Sequence, residues 1–160
     1  MTTSSKTSEI TVTKAITVEC PQSHAFDVFT DRMSEWWPLD SHVIGASPGT
    51  AAIIEPNRGG RWYEVDADGV DCDWGRVLDW DPPNRVVLAW QLSAEWQYDP
   101  TLETEIHVVF TAEGPDRTRV VLEHRYLEHY GERAEEMEKA FQSDGAWSGM
   151  LRHFAGVATA

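Results

Sequence analysis

From about Thr50 to Tyr126 the chain reads as one strand after another, and a single long helical pattern follows it, which restricts the fold more than any other feature. Asp71 to Trp80 alternates Cys72, Trp74, Leu78 and Trp80 against Asp71, Asp73 and Asp79, the period of two of a half-buried strand. Thr104 to Phe110 sets Thr104, Ile106, Val108 and Phe110 against Glu103, Glu105 and His107. The links are turn-length: Asn57-Arg58-Gly59-Gly60, Asp68-Gly69, Asp81-Pro82-Pro83-Asn84 and Gly114-Pro115-Asp116. Links that short join antiparallel neighbours.

Two elements flank this block. Ile10 to Val18 alternates Ile10, Val12, Ile16 and Val18 with polar residues, a further strand, and Pro21 opens a helix carrying Ala25, Phe26 and Phe29 on one stripe. Trp36 and Trp37 stop at Pro38, so a second helix there is short. Glu132 to Val157 has helical spacing through Met137, Phe141, Leu151 and Phe154, with Gly145 and Gly149 as points where it kinks or approaches the sheet. The expected fold is α+β: a curved antiparallel sheet of about six or seven strands wrapped on a long C-terminal helix, with one or two short helices after the first strand. Residues 1–9 read as a disordered tail and 10–160 as a single domain.

Charge and composition narrow the partners. The net charge of −14 opposes binding to nucleic-acid phosphates or an anionic membrane surface. No apolar run approaches the ~20 residues of a membrane span, and Met1 to Glu9 is no secretory signal, so a cytoplasmic location is expected. Cys20 and Cys72 make neither a disulfide framework nor a metal knuckle. His124 and His129 lack the spacing of a zinc helix, and Asp66, Asp68, Asp71 and Asp73 lack the offsets of a calcium loop. No metal and no cofactor are therefore expected. Edge strands and surplus tryptophan are compatible with a homodimer, which no residue specifies.

Eight tryptophans against five phenylalanines are many for 160 residues. Each buried indole needs a partner for its N–H, so some are expected to line a space rather than fill one.

Element order and local words together resemble the START-related, birch-pollen-allergen-like helix-grip superfamily (SRPBCC), in the branch of the heat-shock-protein ATPase activator homologues. The words are Ala25-Phe26-Asp27-Val28-Phe29-Thr30-Asp31, Gly59-Gly60-Arg61-Trp62-Tyr63-Glu64, and Trp74-Gly75-Arg76-Val77-Leu78-Asp79-Trp80-Asp81-Pro82-Pro83 followed by Arg85 and Trp90. Thr104-Glu105, Thr118-Arg119-Val120 and Leu122-Glu123-His124 complete them, over roughly Ile10 to Phe154.

The resemblance implies a cavity between sheet and C-terminal helix that holds a small hydrophobic or aromatic molecule. Trp74, Trp90 and Trp147 fall on inward positions, and either Trp62 or Tyr63 faces in, depending on register. His124 shares the apolar phase of its strand and is either a pocket acid/base or a hydrogen-bonded structural histidine. Arg76 either meets a ligand carboxylate or is turned to solvent by a bulge at Gly75. Glu64 is a second candidate proton carrier if its register turns it inward, and His42, where such folds form the cavity mouth, is either a gating or ligand contact or an ordinary loop histidine. Three roles are open: ligand binding, a cyclase, dehydratase or hydrolase reaction in the same cavity, and a co-chaperone-like interaction module.

Overall fold

The computed structural model describes residues 9–160; the expected N-terminal tail lies almost wholly outside the described residues. Seven strands form one curled antiparallel sheet in the order β1-β7-β6-β5-β4-β3-β2. They are β1 (Val12–Val18), β2 (Gly49–Ile54), β3 (Arg61–Asp66), β4 (Asp71–Asp81), β5 (Arg85–Trp90), β6 (Thr104–Gly114) and β7 (Arg117–Arg125). Short links join β2 to β3, β3 to β4, β4 to β5 and β6 to β7, a longer loop from Gln91 to Glu103 joins β5 to β6, and β1 closes the far edge by pairing Val12 with His124 and Val18 with Thr118.

Pro21 occupies the N-cap of α1 (Gln22–Thr30) with φ −61°, and its carbonyl accepts the Ala25 amide at 2.9 Å. The helix buries Ala25, Phe26, Val28 and Phe29. Phe26 meets Phe110 of β6 at 5.2 Å between ring centroids, while Phe29 meets Phe110 at 5.7 Å and Phe154 at 5.5 Å. This edge-to-face set, with Leu88, Ile106, Val108, Val120 and Leu122 of the sheet, forms the core on the concave side. A short turn, Met33–Glu35, then delivers Trp36 and Trp37 into the same interior.

Strand β4 departs from simple alternation. Trp62 pairs with Gly75 and Tyr63 with Asp73, so Trp74 is an extra residue, and Leu78 is another between the pairs Val77–Leu88 and Asp79–Val87. Two bulges in one strand bend it sharply and curl the sheet. They also explain why the alternation read from the sequence slips: Trp74 and Val77 are buried, Arg76 between them is exposed, and Leu78 is only half-buried. Gly75 is required by close approach, because a Cβ there would stand 1.7 Å from the carbonyl oxygen of Ala89.

The C-terminal helical stretch is broken rather than continuous. α2 (Ala134–Gln142) stops at Ser143, whose ψ of 156° is extended; a wide turn, Asp144–Ser148, follows, and α3 (Gly149–Ala158) completes it. Ala146 within the turn has φ −95° and ψ −130°. The turn folds back so closely that a Cβ at Gly149 would lie 2.5 Å from the Asp144 carbonyl oxygen. Of the two expected glycines, Gly149 therefore has the steric reason, and the break carries Trp147, which packs against Trp90 of the sheet at 5.8 Å between ring centroids.

Candidate functional site: a tryptophan-walled cavity

Where the helical segment breaks, a cavity of about 470 Å³ lies between it and the sheet. Its walls come from four places: Trp74 on β4, Trp90 and Leu92 at the end of β5, the stretch Trp37 to Ile44, and Ala140 to Met150 across the break. Trp96, on the loop after β5, overhangs the opening. No lining residue is an aspartate, glutamate, lysine or arginine.

The indole N–H groups of the walls are turned away from the space they surround. Trp37 donates to the carbonyl of His42 at 2.8 Å, Trp74 to Oε1 of Glu64 at 2.7 Å, Trp90 to the Tyr130 hydroxyl at 3.1 Å, and Trp147 to Nδ1 of His124 at 3.2 Å. Burial pushes the Tyr130 phenol well above its usual range, so it stays protonated and donates onward to the Leu92 carbonyl at 2.7 Å. What the indoles leave for an occupant is their carbon surface. The polar exceptions are at the mouth, where His42 Nε2 lies 2.9 Å from the Gly145 carbonyl and Nδ1 lies 2.7 Å from Ser41 Oγ.

His124 sits one layer behind this wall, fully buried. Because Nδ1 accepts from Trp147, the proton is on Nε2, which donates to Thr104 Oγ1 at 2.8 Å; Thr104 in turn donates to the Trp90 carbonyl at 3.0 Å. Desolvation lowers its pKa to about 3. Both ring nitrogens are engaged, and the ring does not line the cavity. The geometry therefore corrects its candidacy as a proton carrier: His124 is a neutral strut that orients Trp147 and, through Thr104, the end of β5.

Glu64 does face inward, since register puts it in phase with Trp62, and it is fully buried. Its carboxylate accepts the amides of Ile44 at 2.7 Å and Gly45 at 3.0 Å as well as the Trp74 indole. Lying behind Trp74, it is not exposed to the cavity either. It anchors the mouth segment to the sheet, and the expectation that it transfers protons is not supported by this placement.

The remaining candidates divide cleanly. Trp74, Trp90, Trp147 and His42 line the cavity; Trp62 is buried behind them, its indole N–H directed at Met33 Sδ at 3.3 Å. Tyr63 points to the outer face under the Arg61 guanidinium, 4.0 Å from the ring centroid. Arg76, turned out by the bulge, pairs with Glu103 at 2.5 Å and with Gln91 Oε1 at 3.1 Å. Trp62, Tyr63 and Arg76 do not line the cavity, which corrects their assignment as ligand contacts and leaves Arg76 in the solvent-facing alternative that a bulge at Gly75 offered. Trp37, Trp96 and Phe141 line it without having been singled out: Phe141 reads as helix core, and Trp96 lies in a loop whose fold no pattern signals. Trp96 has φ +62°, rare for a side chain of its size, and the Ser93 carbonyl accepts its amide at 2.9 Å.

Among the described residues no histidine, cysteine or carboxylate cluster has the geometry to hold a metal ion. Cys20 and Cys72 are free thiols.

The family model described as Activator of Hsp90 ATPase homolog 1-like protein matches residues 19–159. The chain belongs to that family. The helix-grip, START-related superfamily is the wider group to which this Hsp90-activator-like family belongs. Among solved structures, the chain is 38% identical to Txn09, described as an anthrahydroquino-γ-pyrone synthase and solved in complex with a compound abbreviated SUM, covering 92% of this chain and 96% of that one with a TM-score of 0.65. It is 28% identical to CalC of Micromonospora echinospora, a self-sacrificing resistance protein, covering 92% and 93% with a TM-score of 0.68. NE0264 of Nitrosomonas europaea, at 13% identity with a TM-score of 0.65 over 93% and 94%, shares the fold. No curated protein matches the chain.

Proposed function

We propose that this member of the Hsp90-activator-like family binds a small, hydrophobic, planar aromatic molecule in the cavity between the sheet and the broken C-terminal helix. One observation carries the reading: a space of about 470 Å³ walled by tryptophan side chains, with no aspartate, glutamate, lysine or arginine lining it. That volume is in the range of small-molecule sites, and an apolar wall with polar groups confined to the mouth is how such sites fix a ligand's orientation. The two free thiols fit a reducing compartment, and the proposed location is the cytoplasm. Among the described residues no helix is long and apolar enough to cross a membrane.

Native mass spectrometry of freshly purified protein, compared with the denatured chain, tests the reading. A bound species that disappears on unfolding is the expected result; protein that is apo and also fails to take up any of a panel of tricyclic aromatics would refute it.

A second reading is favoured by the 38% identity to a synthase. In it the same cavity confines a substrate during ring closure. The groups at hand are His42 and the hydroxyls of Ser41 and Ser143 at the mouth, since His124 and Glu64 stand behind the wall. General acid–base work requires a group within hydrogen-bond reach of the reacting atoms. His42→Ala would then abolish turnover of a linear precursor, whereas a purely binding role leaves the precursor unchanged in the wild type as well.

A further inference from the structure

The walls and rim of the cavity carry a charge preference. Four wall indoles, Trp37, Trp74, Trp90 and Trp147, have their N–H groups bonded inside the protein, so no N–H of theirs is left to meet a negative ligand group. Aromatic faces carry a negative quadrupole and attract cations, and a ring of them is the arrangement that recognises ammonium groups. The three stretches that form the opening, residues 37–44, 90–96 and 140–150, contain Asp40, Glu95 and Asp144 and no lysine or arginine. Arg133 pairs with Glu95, but among the described residues Asp40 and Asp144, both exposed, have no ion-pair partner. Asp144 lies between two lining residues, Ser143 and Gly145, and Asp40 precedes Ser41.

Resting on the binding reading above, we propose that the ligand is an aromatic compound bearing an alkyl amine, which is cationic at neutral pH: a planar ring system seated against the tryptophans, carrying an ammonium group that sits at the mouth between Trp96 and the two free carboxylates. A carboxylate or phenolate at the same place would meet aromatic carbon and negative side chains, with no donor from these four indoles and no lining lysine or arginine to compensate its lost water. The overall charge of −14 adds a long-range field of the same sign.

The test uses three probes with one skeleton, 9-(aminomethyl)anthracene, anthracene-9-methanol and anthracene-9-carboxylate, titrated with the full chain at neutral pH and read by anthracene fluorescence anisotropy. The ammonium probe is expected to bind more tightly than the alcohol, and the carboxylate least, with about tenfold or more between the extremes. At 0.15 M salt, where screening acts over about 8 Å, the preference shrinks without disappearing. The exposed double variant Asp40→Asn, Asp144→Asn should reduce the ammonium-to-alcohol ratio about threefold while the alcohol affinity holds, a change a general loss of stability would not give. Equal affinities, or tighter binding of the carboxylate, overturn the charge preference and leave the binding reading standing. Failure of all three probes to bind overturns both.

Discussion

The indole N–H of Trp147 donates to Nδ1 of His124 at 3.2 Å, and that bond sets the state of the whole wall behind the cavity. It makes Nδ1 an acceptor, places the proton on Nε2 facing Thr104, and leaves a neutral imidazole with no free nitrogen. Charging the ring would turn Nδ1 into a donor facing another donor. The ring that sequence position recommends for catalysis is therefore a support for two of the cavity's tryptophans.

A pH dependence follows from the lowered pKa of His124, about 3 when folded against about 6.5 for an unperturbed histidine. Between those values the unfolded chain binds a proton that the folded one does not, so stability falls as pH drops from about 6.5 towards 3 and is fully present above 6.5. The difference amounts to about 5 kcal/mol at its upper bound. Urea midpoints measured from pH 7 to pH 4 should fall more steeply for the wild type than for His124→Gln, and nuclear magnetic resonance should find the ring still neutral at pH 5. A ring titrating near 6.5 contradicts the strut assignment.

Glu64→Gln replaces an acceptor of three N–H groups by an amide that turns an NH2 towards at least one of them. The loss of hydrogen bonds to a buried carboxylate predicts destabilisation of about 3 kcal/mol. Hydrogen exchange should accelerate first at the Ile44 and Gly45 amides, at the cavity mouth. Protection unchanged at those two amides would show that Glu64 does not hold the mouth segment.

Arg76→Gln separates the outward placement from the inward one. An exposed pair such as Arg76–Glu103 contributes about 0–1 kcal/mol, so stability should change by no more than that. Affinity for a neutral aromatic, measured by equilibrium dialysis, should be unchanged; a tenfold loss would place the guanidinium in the site.

The strand block, its antiparallel order and the first helix were legible because period-two alternation and turn-length links are local properties. Trp74, Trp90 and Trp147 were legible for the same reason, as inward positions of regular elements. Arg76 was half legible: a bulge at Gly75 turning it to solvent was one of its two readings, but choosing between them depended on the Ala89 carbonyl, which crowds Gly75 from across the sheet. Tyr63 and Trp62 could be separated only by the register of β3 against its neighbours. The roles of His124 and Glu64 depend on partners 23 and 20 residues away in sequence, Trp147 and Ile44, and no local pattern carries that information. The break at Ser143 was half visible in Gly145 and Gly149, whereas the strained turn that sets Trp96 over the opening has no counterpart in composition or periodicity.

The central claim is that the tryptophan-walled space is the binding site, and filling it is the most direct trial. Ala140 lines the cavity from α2, so Ala140→Phe adds a ring to the space without a new charge or a helix breaker. Isothermal titration of anthracene-9-methanol into the wild type and into this variant, with matched thermal unfolding, should show binding with a negative heat-capacity change in the first and at least about tenfold weaker binding in the second. Equal affinity in both proteins would place the ligand elsewhere, and no binding to the wild type would contradict the account.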